Sequence, residues 1–579
     1  MRVFFVTLLL IAALARILFL DRNPAGIFRD EAEKGYSAWS LTRVGGVYDF
    51  SELDSPALSL MSRNLPLIQA GVEAPLPGIP RLRVMPLFVN VWGSTTSMIY
   101  QYAAAPLVAM AGLNEWTLRL PAALFATATV VFAFLLGRRL TGDARAGLWA
   151  MALLAMSPWH LVFSRWAQQG IFVPFFFSAG LLCFLSPPKA LCALDRNRAK
   201  RRAEDRMRLG VLWFGLAFYS YSGARPFLLL IWAWMIFLWR REIWRERRTA
   251  LRIAPLAILA LVPTFYAMLG QGAAGMGRFQ RLSVFAMDAP LLERVGVFLM
   301  NYLAHFDPRF LFVSGDALPR HGLPGFGVLL HVELVFLTVG LIIAFRRRGR
   351  MNLLLLGWFF FAPVSAALTR EGIPHALRTL HATPAPQLIG AIGAVAVADY
   401  LARKAALLRW IPPTATALNG AAVLFVLFVI YPAWSAPWFE YGAREAFQER
   451  ERAVGARPVG GSPLVHIQAG GVPPGGNLPY CVEFYLYHAR VAPELIQGGG
   501  LAGVPIRIYP WLEMMKDQLG AQECLIAPSP AYHQYYARRQ GAQRPRSIAI
   551  LFPRHPWSKA PSEALRLVVG AEENRPASK

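Results

Sequence analysis

Charge is scarce in this 579-residue chain: Asp, Glu, Lys and Arg together make up 16% of it, against roughly 25% in an ordinary soluble domain. Acidic residues are the scarcer kind, 34 against 59 basic, for a net charge of +25. Only four cysteines occur, too few for a disulfide scaffold. Heptads and internal repeats are missing, and so are the P-loop, CxxC, HExxH and GxSxG patterns, which removes the motif-borne grounds for a coiled coil, a solenoid, a nucleotide hydrolase, a zinc protease or a serine hydrolase. What is abundant is apolar: 55% hydrophobic and 13% aromatic residues, gathered in blocks, with a mean hydropathy of +0.39. These are the proportions of a membrane protein.

A membrane-crossing helix needs about 17 to 25 mostly apolar residues, fewer where the bilayer thins. Eleven stretches qualify, at 3–20, 120–136, 146–163, 171–185, 209–223, 226–239, 253–269, 322–345, 353–368, 382–398 and 413–433. Arg16 interrupts the first, and no small-x-small cleavage site comes after it, which favours an uncleaved anchor over a signal peptide. A twelfth stretch, Ile99 to Leu113, reads as a helix in or on the outer leaflet within a long first external loop.

Lys and Arg gather on the cytoplasmic side of membrane proteins. Five alternate connections carry them, at 138–145, 189–208, 240–252, 346–350 and 403–409; with Arg2 they hold 25 basic residues against six acidic ones. All five fall on one face. The amino terminus is therefore expected in the cytoplasm, and the segment after the last span outside it, as for a multi-pass protein of the inner cell membrane with a periplasmic carboxy-terminal domain. That placement accounts for +19 of the +25, so the basic balance calls for no nucleic acid partner.

The expected architecture is a polytopic α-helical membrane module over 1–433, with external loops at 21–119 and 270–321, and an extracytoplasmic soluble α/β domain over 434–579. The second unit contains strand-like pieces PLVHIQA, VEFYLYH, IRIYPW, CLIAP and IAILF. Its Cys481 and Cys524 would share an oxidising compartment, either paired or as separate thiols.

The outward connections hold an unusual amount of polar chemistry. Asp30, Glu31 and Glu33 come directly after the first span in FRDEAEKGYSAWSL, where Tyr36 and Trp39 continue an amphipathic helix. Arginines punctuate the other outer loops: Arg165 in FSRWAQQG with Gln169, Arg225 in YSYSGARPF, Arg320 with His321 in DALPRHG, and Arg378 in PHALR with His375. A carboxylate can take a proton from an attacking hydroxyl, and arginines can hold a phosphate as it leaves. Charge near bilayer depth is costly, which ties such residues to function.

At these residues the chain resembles the GT-C membrane glycosyltransferases related to dolichyl-phosphate-mannose protein mannosyltransferases and bacterial aminoarabinose transferases. DEAEKGYSAWSL, GLNEWTLRLPAALF, SPWHLVFSRWAQQG, DPRFLFVSGDALPRHGLPGFG, PHALR and WFEYGAREAF carry the resemblance, in order. It implies a polyprenyl-phosphate sugar as donor, an outer-face hydroxyl of a protein, lipid or glycan as acceptor, and inversion at the sugar carbon. It also implies an acidic catalytic base just after the first helix, the place of Asp30, with Glu31 as its partner in the DE pair. Arg165, Arg225, Arg320 and Arg378 are then the phosphate-binding candidates, and Tyr36, Gln169, His321 and His375 the candidates for substrate contact. The resemblance demands no cofactor; a divalent cation stays an open alternative, because relatives differ. The competing reading is a polytopic transporter or lipid flippase, which would place charged or broken helices near the bilayer midplane in matched halves.

Overall fold

The structure, a computed structural model, describes residues 1–49, 81–91, 94–185, 196–270 and 282–454, and beyond these 465–468, 487–488, 490, 492–494, 506–509, 524–528, 547–551 and 563–569. Five helical segments are long and apolar enough to cross a membrane: Glu115–Thr141, Arg247–Ala267, Arg350–Ala367, Ala385–Lys404 and Ala406–Phe439. A sixth candidate is the pair Arg201–Ser220 and Ser222–Leu238, which meet at 115°. Shorter apolar helices stand at Ile99–Ala111, Ala144–Met156 and Gln169–Leu185.

Helix occurs at each of the eleven expected places, with one correction. The eighth stretch is helical only over Glu333–Arg347. Gly322, Pro324, Gly325 and Gly327 interrupt its first half, where Val328 and Leu329 donate their amides to the Phe310 and Leu311 carbonyls instead. Helix 333–347 packs on helix 385–404 through glycines: a Cβ on Gly340 would strike the Ile389 carbonyl, and one on Gly393 the Phe336 carbonyl. Small residues at such a crossing let two backbones approach in an apolar medium.

Two helices frame the DE pair. Helix α1 spans Arg2–Ile17 and α2 spans Arg29–Val44, the latter ended by Gly45 in the left-handed conformation. Residues 18–28 join them without regular structure, yet Asn23 to Phe28 are buried. A buried loop must still satisfy its carbonyls. Two arginines do this. Arg119, on helix 115–141, donates to the Leu20, Pro24 and Gly26 carbonyls, and Arg165 donates to those of Ala15, Leu18, Phe19 and Asn23.

Strands β1 (Gly46–Asp49) and β2 (Arg81–Val84) form one antiparallel pair, and β3 (Phe88–Val91) and β4 (Ser94–Ser97) a second. Toward the carboxy terminus, β5 (Val465–Gln468), β6 (Ile506–Tyr509), β7 (Cys524–Pro528), β8 (Ser547–Leu551) and β9 (Glu563–Val569) form a mixed sheet in the order β6-β5-β7-β9-β8. Four of these match expected strand pieces. Most of VEFYLYH lies outside the described residues; its Tyr487 and His488 are helical, and the fifth strand, β9, comes from EALRLVV. Cys481 lies outside the described residues.

Candidate functional site

The two carboxylates of the DE pair face different surroundings, because successive residues on a helix point about 100° apart. Glu31 is fully buried. It accepts hydrogen bonds from Arg119 Nε at 3.0 Å and Nη2 at 2.9 Å, from the Ala167 amide at 2.7 Å and from the Phe28 amide at 3.2 Å. With its three loop carbonyls, Arg119 thus uses all five of its donors. Glu31 is thus held as a buried anchor, each of its carboxylate oxygens accepting two hydrogen bonds. Asp30 is half-buried, and its carboxylate accepts no hydrogen bond among the described residues. Lys34, one turn on and buried, donates to the Asp30 main-chain carbonyl at 2.9 Å.

Arg320 comes to Asp30 from the other side. Its guanidinium lies over the Phe28 ring, 4.4 Å from the centroid, and its Nε is buried with no hydrogen-bond partner among the described residues. Burial lowers its pKa, while the Asp30 carboxylate acts in the opposite sense and Arg29 adds to the lowering. Phe28 also carries Arg29, at 5.5 Å. Behind them runs an aromatic wall: Phe28 meets Trp166 edge-on at 6.0 Å, Trp166 meets Phe439 at 5.6 Å, and the His321 ring lies 6.3 Å from Trp166.

Glu440 completes this group and was not among the expected site residues, although WFEYGAREAF contains it. Its buried carboxylate accepts from Arg29 Nε at 2.7 Å and from the Arg29 amide at 2.8 Å. Burial raises its pKa to about 7 against the pull of Arg29. No sequence signal places it beside Asp30, 410 positions earlier; only the fold does.

His321 and His375 are joined by Asp316. Asp316 Oδ2 accepts from His321 Nδ1 at 3.0 Å and from the Ala376 amide at 2.8 Å, and His375 Nδ1 lies 3.8 Å away. The three side chains are buried, with one donor atom of each within 4.8 Å of the others. Burial lowers the pKa of His375 to about 2 and that of His321 below its ordinary value. Asp316 stays below the usual carboxylate range despite burial, through the His321 hydrogen bond and charge. His305 supports the group from behind: its Nδ1 contacts the Asn301 carbonyl at 2.7 Å, and its Nε2 accepts from the His375 amide at 3.1 Å.

The remaining expected residues divide. Arg165 is buried, with its Nη groups on four carbonyls of α1 and the loop after it, and so fastens the chain; its Nε has no hydrogen-bond partner among the described residues. Arg378 donates to Thr369 Oγ1 at 2.6 Å and the Glu371 carbonyl at 2.8 Å, on the flank of the histidines. Arg225 sits at the bend between helices 201–220 and 222–238, with Nε on the Phe218 carbonyl at 3.3 Å and no ion pair to the Asp30 group. Tyr36 is buried against Trp39. Gln169 opens a short turn, Gln169–Ile171, and its Oε1 is buried without a partner among the described residues.

Residues 96–266 match the family model described as dolichyl-phosphate-mannose-protein mannosyltransferase. The fold is similar to that of ArnT from Cupriavidus metallidurans in the apo state, at 14% identity and a TM-score of 0.52, over 98% of this chain and 97% of that one. It is equally similar to the same enzyme bound to undecaprenyl phosphate, at 12% identity and a TM-score of 0.51, over 98% of each chain. No curated protein matches the sequence. The expected likeness to the GT-C glycosyltransferases is therefore shown, by the family model over part of the chain and by the fold over nearly all of it.

Proposed function

We propose that this chain, which has the fold of the GT-C membrane glycosyltransferases, is an inverting glycosyltransferase that moves a monosaccharide from a polyprenyl-phosphate lipid to an acceptor hydroxyl on the outer face of the membrane. The observation that carries the proposal is a carboxylate, Asp30, that accepts no hydrogen bond among the described residues and lies within electrostatic reach of Arg320, whose guanidinium covers the nearby Phe28 ring and whose Nε has no partner among the described residues. Asp30 takes the proton of the acceptor hydroxyl as its oxygen bonds to the anomeric carbon. The bond from that carbon to the phosphate oxygen breaks with its electrons, and Arg320 stabilises the leaving lipid phosphate. Phosphate is a good leaving group, so no general acid is needed. Arg378 stands on the histidine side, where the sugar or the phosphate would be held. The five basic connections support a cytoplasmic amino terminus, with this site on the opposite face and the β5 to β9 sheet beyond it.

The donor set of Asp316, His321 and His375 fits a divalent transition ion such as zinc, since burial keeps both imidazoles neutral while the His321 hydrogen bond keeps the carboxylate ionised against its own burial. Such an ion would supply a fixed positive charge and tie the 307–321 loop to the PHALR turn.

The test is purified protein in detergent with a panel of polyprenyl-phosphate monosaccharides. One donor is expected to be consumed with release of polyprenyl phosphate, and metal analysis of the same preparation is expected to find about one ion per chain. Transfer of intact donor lipid between leaflets in vesicles, with no cleavage of any donor, would favour a flippase and overturn the proposal.

A further inference from the structure

Glu440 stands in the left-handed conformation (φ 51°, ψ 41°), which residues other than glycine adopt rarely. The turn that carries it is pressed against the loop before α2: a Cβ on Gly26 would strike the Phe439 carbonyl and the Tyr441 backbone. The strained residue is also the one that grips Arg29, at both its amide and its guanidinium. Arg29 immediately precedes Asp30.

We propose that Glu440 is a positioning residue for the reaction: by holding Arg29, it keeps that guanidinium off Asp30 and leaves the Asp30 carboxylate free to accept a proton. The inference rests on the reading of Asp30 as the base. An arginine and an acid adjacent at the start of a helix do pair in this protein when nothing prevents it. Arg444 and Glu445, in the first turn of helix 443–454, make that contact at 2.7 Å. Arg29 and Asp30 are likewise adjacent at the start of α2, yet Arg29 turns to Glu440 and the Asp30 carboxylate accepts no hydrogen bond among the described residues. The charged groups around Asp30 are Arg29 and Lys34 on α2, Arg320 from the 319–321 turn, with Asp316 acting on Arg320, and Glu440. Burial holds Glu440 partly protonated near neutrality, so its grip strengthens as pH rises through that range.

The test reads Asp30 itself, without a substrate. Carbodiimide labels protonated carboxyls, so labelling of Asp30 followed by peptide mass spectrometry across pH gives its midpoint in wild type, Glu440→Gln, Arg29→Gln and the double variant. Glu440→Gln is expected to lower the midpoint by about one pH unit or more, because an arginine then sits on the carboxylate. The effect of Arg29→Gln is expected to be larger in the Glu440→Gln background than in wild type by about one unit, the non-additive signature of a new contact. In the donor assay, the acid limb of the pH–turnover profile is expected to move with the midpoint in Glu440→Gln. Equal effects of Arg29→Gln in the two backgrounds, or an unmoved midpoint in Glu440→Gln, would overturn the proposal. If Glu440→Gln does not fold, Glu440→Asp, which keeps the charge but withdraws it from Arg29, replaces it with the same expectations. Full transfer activity in Asp30→Asn would remove the assignment of the base, a result distinct from any labelling outcome.

Discussion

Asp30→Asn is expected to lower donor turnover by about 100- to 10,000-fold, the usual contribution of a general base. The substitution is nearly isosteric, and the wild-type carboxylate accepts no hydrogen bond among the described residues, so folded yield and thermal stability in detergent should stay close to wild type. Donor binding, measured by protection or by a fluorescent lipid analogue, should change little, because phosphate recognition is assigned to Arg320. Retained turnover would remove Asp30 from the chemistry, whereas loss of folded protein would show a structural part that its free carboxylate gives no reason to expect.

Arg119→Ala carries the largest expected effect on stability. The pair with Glu31 is inaccessible on both sides, and the guanidinium also holds the Leu20, Pro24 and Gly26 carbonyls. Removing it leaves a buried carboxylate unpaired and three carbonyls unsatisfied, a loss of about 3 to 5 kcal/mol by analogy with other broken buried pairs. Thermal denaturation in detergent, with the monodisperse fraction on gel filtration, reads this. Removing both partners, as Glu31→Ala with Arg119→Ala, should cost less than the sum of the two single losses, since no charge is left stranded. Arg119→Lys should resemble the alanine variant more than wild type, because an ammonium cannot span a carboxylate and three carbonyls. A stable, monodisperse Arg119→Ala protein would mean that the loop between α1 and α2 is held by something other than this arginine.

Much of the helical architecture was legible because apolar blocks of sufficient length mark helices directly. The positions of helix came from block length. The exception, 322–332, is as apolar as its neighbours, but its glycines and Pro324 favour turns, and block counting does not weigh them. Strand β9 was hidden by its composition: in EALRLVV only the two closing valines are β-formers, while Glu, Ala, Leu and Arg all favour helix.

At the site, residue type was legible and partnership was not. The sequence marks Asp30 and Glu31 equally; which of them meets a buried arginine depends on where helix 115–141 lies against α2. Arg165 carries the same marks as Arg320, an arginine in an outer loop beside aromatics. Its acceptors are main-chain carbonyls, which leave no trace in the sequence, so its fastening role shows only in the fold. Asp316, His321 and His375 come together across 59 positions for the same reason. Glu440 and Arg119, each within a stretch that carried the family likeness, gained their roles from contacts made hundreds or tens of positions away.

The most direct measurement of the central claim is an experimental structure of this protein with undecaprenyl phosphate. A phosphate held by Arg320, on the Asp30 side of the Phe28 ring and within reach of that carboxylate through one sugar, is the predicted result. A phosphate held at Arg225 or elsewhere, with Asp30 and Arg320 turned away from it, would contradict the account.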